Sequence, residues 1–302
     1  MDIQRDDFAE RAAIVDLLTD YSLEVTPAAA RRIERFDLLL RPGTRVFITN
    51  LPGSDPEALI DTARRLQAEG MRPVPHLAAR DIADEQVLAH LLDRLAEGRV
   101  RELLLIAGGG TRQVGPFASS MDLLRGGGFA GLGLERVWVA GHPEGHPDVD
   151  DLTLAVALRE KRALLDEAGI DMHLVTQFGF DADTFLGWCS QVSEQAGPAP
   201  VHIGLAGVCS LPALIKHATQ CGVGNSLNTL RKQSGLMGKL LGPTTPDRLV
   251  RALAVGALQA GLPLAPLHFF PFGGLEATVR WADSVLDGRF ELDDRGGLAI
   301  AA

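Results

Sequence analysis

Short apolar runs alternate with amphipathic stretches along most of this chain. Apolar runs that end at Gly or Pro are typical of buried strands, and apolar residues three or four positions apart are typical of helices. The runs predict eight strands, at Tyr21–Val25, Arg45–Asn50, Arg72–Leu77, Glu102–Ala107, Arg136–Ala140, Met172–Gln177, Val201–Gly204 and Leu264–Phe270. The amphipathic stretches predict six helices, at Pro56–Glu69, Asp84–Glu97, Asp150–Ala168, Asp181–Ala196, Pro246–Ala260 and Gly274–Leu286.

This alternation predicts the α/β class and one closed barrel. Strands that alternate with helices form a parallel sheet, and eight such units form a (β/α)8 TIM barrel. We therefore expect a single barrel domain at 21–290, an N-terminal helix or arm at 1–20 and a C-terminal tail at 291–302. An open doubly wound sheet is the alternative, but its G-x-G-x-x-G signal does not follow the first strand. The glycines at 108–110 follow the fourth strand and continue as TRQVG.

Composition narrows the possible partners. The net charge is −10, which disfavours nucleic acid and anionic membranes because both select basic surfaces. Cys189, Cys209 and Cys221 are odd in number and lack C-x-x-C spacing, as expected for reduced thiols. The N-terminus lacks the pattern of a signal peptide, so we expect a cytoplasmic protein. We expect neither a nucleic-acid nor a membrane partner, and the oligomeric state stays open.

Polar side chains collect at the predicted C-terminal strand ends, where barrels carry their active sites. The densest group is the VAGHPEGHP stretch, with His142, Glu144 and His146 between two prolines. Three interpretations compete: a metal site, a polar loop shaped by Pro143 and Pro147, and a ligand-binding loop. Metal-binding histidine pairs usually lie four residues apart on a helix, which the prolines disfavour. No metal site is therefore assigned.

Several motifs, in order and in register, resemble those of methylenetetrahydrofolate reductases over roughly residues 20 to 285. They are YSLEVTP (21–27), PHLAARD (75–81), VAGHPEGHPDV (139–149), LREK (158–161), VTQFGFD (175–181) and HFFPFGG (268–274). Members of that family are flavin-bearing (β/α)8 barrels that reduce 5,10-methylenetetrahydrofolate with electrons from NADH or NADPH. The resemblance implies the same reaction, FAD as cofactor and a small folate as substrate.

The resemblance also assigns the folate side of the site. Glu24 matches the acid that protonates the folate so that its ring opens to an iminium. Such an acid needs a raised pKa, which burial can supply. The alternative for Glu24 is a strand-end carboxylate that caps the helix after Pro27. Gln177 matches a residue that hydrogen-bonds the pterin, and an amide suits a heterocycle edge with donors and acceptors. The other expected substrate residues are Phe178, Phe180, His217 and Phe270. A core position is the alternative for Phe178 and for Phe180, and His217 stands near the family's substrate-side phenylalanine.

On the cofactor side, the matching positions are Thr49, His76, Ile106, Gly108, Gly109, Phe117, Ala118, His142, His146 and Lys161. Lys161 matches a residue that neutralises a phosphate; the alternative is a solvated helical charge. His76 also suits a satisfied core histidine. His142 replaces the family's usual tyrosine.

The loop after the fourth strand departs from the family pattern. Ala107 and Gly109 stand where the family has an arginine and an aspartate. Loss of the negative charge near the flavin should make it easier to reduce and less ready to give a hydride. Two alternatives therefore stay open beside the flavin enzyme: direct hydride transfer from NADH or NADPH, and a non-catalytic folate-binding barrel. A basic loop with Arg231, Lys232 and Lys239 is expected over one rim, where it could meet the folate tail or be solvated.

Overall fold

Eight parallel strands close into a barrel in the computed structural model, which describes residues 2–51, 53–109, 113–129, 131–146, 148–220 and 243–300. The strands follow one another around the barrel in chain order, and the last pairs with the first. They are β1 (Ser22–Val25), β2 (Arg45–Ile48), β3 (Arg72–Ala78), β4 (Glu102–Ile106), β5 (Arg136–Gly141), β6 (Asp171–Phe178), β7 (Val201–Ala206) and β8 (His268–Phe270). The predicted (β/α)8 TIM barrel is confirmed.

Helices cover the outside of this barrel. They are α1 (Asp2–Leu18), α2 (Pro27–Ala30), α3 (Pro56–Ala68), α4 (Glu85–Glu97), α5 (Ser120–Gly126), α6 (Asp151–Glu167), α7 (Ala182–Ala196), α8 (Leu211–Gln220), α9 (Asp247–Ala260) and α10 (Leu275–Leu286). The aspartates predicted to begin three of them, Asp84, Asp150 and Asp181, instead cap them, each accepting a hydrogen bond from a backbone N–H three residues on. Because the cap itself has extended backbone, each helix starts one residue later than predicted.

Five elements differ from the expectation. The eighth strand was predicted to begin at Leu264 but begins at His268, since Pro266 has no N–H for a strand ladder. Helices α5 and α8 were not predicted. In the expected C-terminal tail, β9 (Phe290–Leu292) and β10 (Leu298–Ile300) form an antiparallel hairpin. The basic loop with Arg231, Lys232 and Lys239 lies outside the described residues.

The inside of the barrel is layered along its axis. Phe47, Val74, Leu104, Trp138 and Val175 form an apolar layer in the middle. Below it, at the N-terminal strand ends, Glu102 accepts hydrogen bonds from Arg45, Arg136 and Trp138. Above it lies a second polar group, at the C-terminal strand ends. The apolar layer thus separates two polar centres.

No helix in the described part of the chain combines the length and the apolar character needed to cross a membrane.

Candidate active site at the C-terminal ends of the strands

Glu24 lies at the centre of the polar group above the apolar layer. It is on β1, and only 15% of its side chain is exposed. Thr49 donates a hydrogen bond from Oγ1 to its Oε2 at 3.0 Å. Two imidazoles approach the other oxygen, Oε1: Nε2 of His268 lies at 3.4 Å and Nε2 of His76 at 3.6 Å. We call these four residues the Glu24 cluster.

The pKa of Glu24 reflects two opposing effects. Burial raises it, but the contacts with His268, His76 and Thr49 more than offset burial and leave the pKa below its ordinary value. The expectation of a raised pKa is therefore not met. Burial also lowers the pKa of His76, which favours a neutral imidazole there. These shifts favour the ionised form of Glu24 and the neutral form of His76.

His268 was quoted in a motif but was not predicted as a site residue. Its ring is fully buried, and Nδ1 lies 2.8 Å from Oγ of Ser22, which directs Nε2 toward Glu24. Phe47 supports both histidines from below, with its ring centroid 4.5 Å from that of His268 and 6.0 Å from that of His76. His268 became recognisable only when closure of the barrel paired β8 with β1.

An aromatic wall continues from the Glu24 cluster along the same rim. The ring of Phe270 lies 4.8 Å from that of His268 and 5.6 Å from that of Phe178. Phe178 in turn contacts Phe180 at 6.0 Å. The expected substrate residues Phe178, Phe180 and Phe270 therefore lie together beside the candidate acid.

Phe272 joins this wall to His217; it stands in the HFFPFGG motif but was not predicted as a site residue. Its ring stacks on His217 with centroids 4.4 Å apart and planes 12° apart, and it also lies 4.9 Å from Phe178. Its φ of 46° is rare for a bulky residue, because the side chain crowds the backbone there. The turn at Gly273 and Gly274 holds this conformation, so the aromatic wall includes one residue of unusual backbone geometry.

Gln177 stands at an irregularity in β6. The register between β6 and β7 shifts between Val175 and Phe178, and such bulges re-aim side chains. Thr176 fixes the bulge: its Oγ1 accepts from the Gly204 N–H at 2.8 Å and donates to the Gln177 carbonyl at 2.8 Å. Gln177 lines a small pocket with Glu144. The bulge thus places Gln177 at the rim, in the same pocket as Phe178 of the aromatic wall.

Three basic side chains converge near the loop after β5. The rings of His142 and His146 meet edge to face at 5.0 Å. Burial, His146 and Lys161 together lower the pKa of His142 to about 4, and burial lowers the pKa of Lys161 to about 8. Nδ1 of His142 is buried without a hydrogen-bond partner among the described residues. Among all the residues that the structure describes, no three His, Cys, Asp or Glu side chains lie close enough together to hold a metal ion. This basic group suits an anion.

The remaining cofactor positions are spread around β4 and the loop that follows it. Ile106 packs against the apolar layer inside the barrel. Phe117 is buried in the outer core, where Gly126 leaves room for its ring, while Ala118 is exposed and its carbonyl accepts from Arg80. Gly108 has a φ of 97° and packs against Ala78. Phe117 therefore supports the loop from the outer core.

Comparisons with known proteins relate the chain to one enzyme family. A family model described as methylenetetrahydrofolate reductase matches residues 30–227. Methylenetetrahydrofolate reductase 2 of Saccharomyces cerevisiae is 32% identical over 82 residues, which make up 27% of this chain and 13% of the yeast protein. The match thus spans a small part of that relative. Glu24 and His268 lie outside the residues that the family model matches.

A solved structure agrees in fold. The uncharacterised protein from Clostridium thermocellum that binds two copies of 5-methyl-5,6,7,8-tetrahydrofolic acid superposes with a TM-score of 0.57 at 13% identity. The superposition covers 88% of this chain and 94% of that one. At this identity the likeness concerns the barrel fold.

Proposed function

This chain belongs to the methylenetetrahydrofolate reductase family, whose model matches more than half of it, and from this premise we propose that it reduces 5,10-methylenetetrahydrofolate to 5-methyltetrahydrofolate. The observation that carries the proposal is the Glu24 cluster. A buried carboxylate at the mouth of the barrel, adjoined by an aromatic wall, supplies both a proton donor and a stacking surface for a heterocycle. The nicotinamide cosubstrate is NADH or NADPH.

Glu24 is the general acid in this proposal. Opening the five-membered folate ring breaks a C–N bond, and its electron pair goes to the nitrogen, which takes the proton from Glu24. A stacked pterin would exclude the water that still reaches this carboxyl group, and burial favours the protonated form. His76 and His268 adjoin the same Oε1 and hold the carboxyl group in place.

The aromatic wall and Gln177 bind and orient the pterin. Aromatic rings prefer offset or edge-to-face contacts at centroid distances of about 4.5–7 Å, which the wall already offers. The amide of Gln177 can donate and accept at the edge of the heterocycle. Positioning of this kind supplies a large part of catalysis, since it replaces a chance encounter with a fixed geometry.

The basic group of His142, His146 and Lys161 fits the phosphates of FAD. A cationic ammonium and an unpartnered imidazole nitrogen can both donate to phosphate oxygens. Bound there, FAD would supply the hydride relay between the nicotinamide and the opened folate. The chain's own part is to hold the cofactor at these residues and to keep water from the reacting atoms.

Replacement of Lys161 tests the cofactor assignment. We expect the purified protein to show flavin absorption bands after addition of FAD, to lose them with NADH or NADPH and to regain them with methylenetetrahydrofolate. Lys161→Met should weaken FAD binding by about tenfold or more, because a hydrogen bond to a charged group contributes roughly 1.5–3 kcal/mol. Titration followed by absorbance or fluorescence measures the affinity.

Arg159→Met is the matched control for Lys161→Met, because it removes a cation from the same helix. The guanidinium of Arg159 donates a hydrogen bond to the Gln195 carbonyl. The variant should bind FAD as the parent protein does. Absence of flavin bands and of FAD uptake in the parent protein would overturn the cofactor assignment.

A second candidate is favoured by the loop after β4. Ala107 and Gly109 replace the arginine and aspartate found in the family, and both side chains would stand near a flavin. This departure supports direct hydride transfer from NADH or NADPH, or folate binding without catalysis. Turnover by flavin-free protein would establish the first, and stoichiometric folate binding without turnover would establish the second.

Gly109→Asp tests what the missing charge does. A Cβ at this position would meet no atom of the described residues within 4 Å, so an aspartate fits. We expect the reduction potential of bound FAD to fall by about 30 mV or more, which for two electrons corresponds to about 1.4 kcal/mol. Equilibrium titration with a redox dye measures it. Gly109→Asn, equal in size but uncharged, should leave the potential near that of the parent, and an equal shift in both variants would refute the electrostatic explanation.

A further inference from the structure

A cleft opens at the opposite end of the barrel, where the strands begin. Its volume is about 240 Å³, and it lies between the N-terminal ends of β3, β4 and β5. Its polar and charged lining residues are Gln67, Arg72, Arg99, Arg101, Glu102 and Glu135. None of them belongs to the Glu24 cluster, the aromatic wall or the basic group of His142, so the cleft is separate from the candidate active site.

The guanidinium groups of this cleft are only partly used within the protein. Those of Arg72 and Arg99 form no hydrogen bond or ion pair with any residue that the structure describes. Arg101 donates from one nitrogen to the Gly133 carbonyl at 2.7 Å and keeps its other donors. An arginine has five N–H donors in a planar fork. The cleft therefore presents many donors without matching acceptors.

The carboxylates of the cleft do not cancel this charge. Glu102 is already bound by Arg45 and Arg136, and its Oε2 also accepts from Trp138. Glu135 is the other carboxylate in the lining. A local excess of arginine is notable on a chain whose net charge is −10. An excess of one sign of charge in a cleft concentrates ligands of the opposite sign.

Arg99 adopts a backbone conformation that is unfavourable for most residues with a side chain. It follows the C-terminus of α4 with a φ of 56°, a conformation in which glycine or asparagine is usual. Non-glycine residues held in such conformations occur often at ligand sites, where the side chain is needed. Here the strained position brings a guanidinium into the cleft.

We propose that this cleft binds a small polyanion, such as a phosphate ester or a polycarboxylate. Planar guanidinium groups bind both phosphate and carboxylate through paired hydrogen bonds, and three of them line one cavity here. The volume suits a small metabolite, since it is below that of pockets for drug-sized ligands. A bound anion would bridge the starts of β3 and β4 and so stabilise the barrel by mass action.

Pyrophosphate and citrate are the probes for this site: pyrophosphate tests binding of phosphate groups, and citrate tests binding of carboxylates. Calorimetric titration of the full chain at low salt should show one site, and the melting temperature should rise with probe concentration. The double variant Arg72→Gln/Arg99→Asn should weaken binding by about tenfold or more, since two charge-assisted contacts are lost. The asparagine is chosen because it tolerates the backbone conformation at 99.

Three further variants make the result decisive. Arg280→Gln/Arg289→Gln removes two exposed arginines elsewhere and should bind like the parent. Glu135→Gln removes the opposing carboxylate and should tighten binding severalfold. Lys161→Met should leave this site unchanged, which separates it from the proposed flavin site. The proposal is overturned if neither probe binds at millimolar concentration, if the cleft variant binds as tightly as the parent, or if Lys161→Met removes the binding.

Discussion

Glu24→Gln is expected to lower the rate of methylenetetrahydrofolate reduction by about 10²–10⁴-fold, the usual contribution of a positioned general acid. Glutamine keeps the size of the side chain and can still accept from Thr49, but it has no proton to give at neutral pH. The reduction of bound flavin by NADH or NADPH should continue, because that half-reaction does not need the acid. Stopped-flow absorbance measures the two half-reactions separately.

Two controls connect this loss to acid catalysis. Thr49→Val removes the hydrogen bond to Oε2 but keeps the carboxyl group itself, so its loss of rate should be smaller than that of Glu24→Gln. His268→Asn should raise the pKa of Glu24, because His268 is one of the contacts that lower it. A rate that depends on protonated Glu24 falls as the pH rises through that pKa, so the variant should keep its activity to higher pH. A Glu24→Gln protein that reduces folate at the parent rate would remove Glu24 from the mechanism.

The barrel was predictable because its signal is local. Each buried strand is a short apolar run between Gly, Pro or polar residues. In each amphipathic helix, the spacing of apolar residues repeats within a few turns. Pro266 shows where a local pattern misleads: the run from Leu264 looks continuous, but a residue without an N–H cannot extend the ladder. Helix α5 had a signal that could have been used, since Ser119 and Asp122 form a reciprocal capping box.

The candidate site was predictable only in part, because its contacts join residues far apart in the chain. Glu24 and His268 meet across the β1–β8 pairing that closes the barrel. Likewise, Phe272 becomes part of the aromatic wall through a turn whose unusual backbone no residue pattern announces. The predicted direction of the shift in the pKa of Glu24 was wrong for the same reason. Burial was expected, but the two imidazoles and Thr49 that offset its effect were not.

The two ends of the barrel have different roles in this account. At the C-terminal ends, a carboxylate and two histidines stay incompletely satisfied, which is typical of groups that await a substrate. At the N-terminal ends, Glu102 is bound by three donors and is almost fully buried. A catalytic role is not required to explain Glu102, because its contacts join β2, β4 and β5 directly. Its role should therefore show in stability.

Glu102→Leu is expected to lower the free energy of unfolding by about 3–5 kcal/mol, the usual cost of removing one partner from a buried ion pair. The substitution leaves Arg45 buried with Asp20 as its remaining carboxylate and removes the acceptor of the Trp138 indole. Urea denaturation followed by circular dichroism measures the change. Glu97→Leu is the control, because the carboxylate of Glu97 is exposed and pairs with Arg64 at the surface. Exposed pairs contribute roughly 0–1 kcal/mol. Equal losses in the two variants would contradict a special role for the buried network.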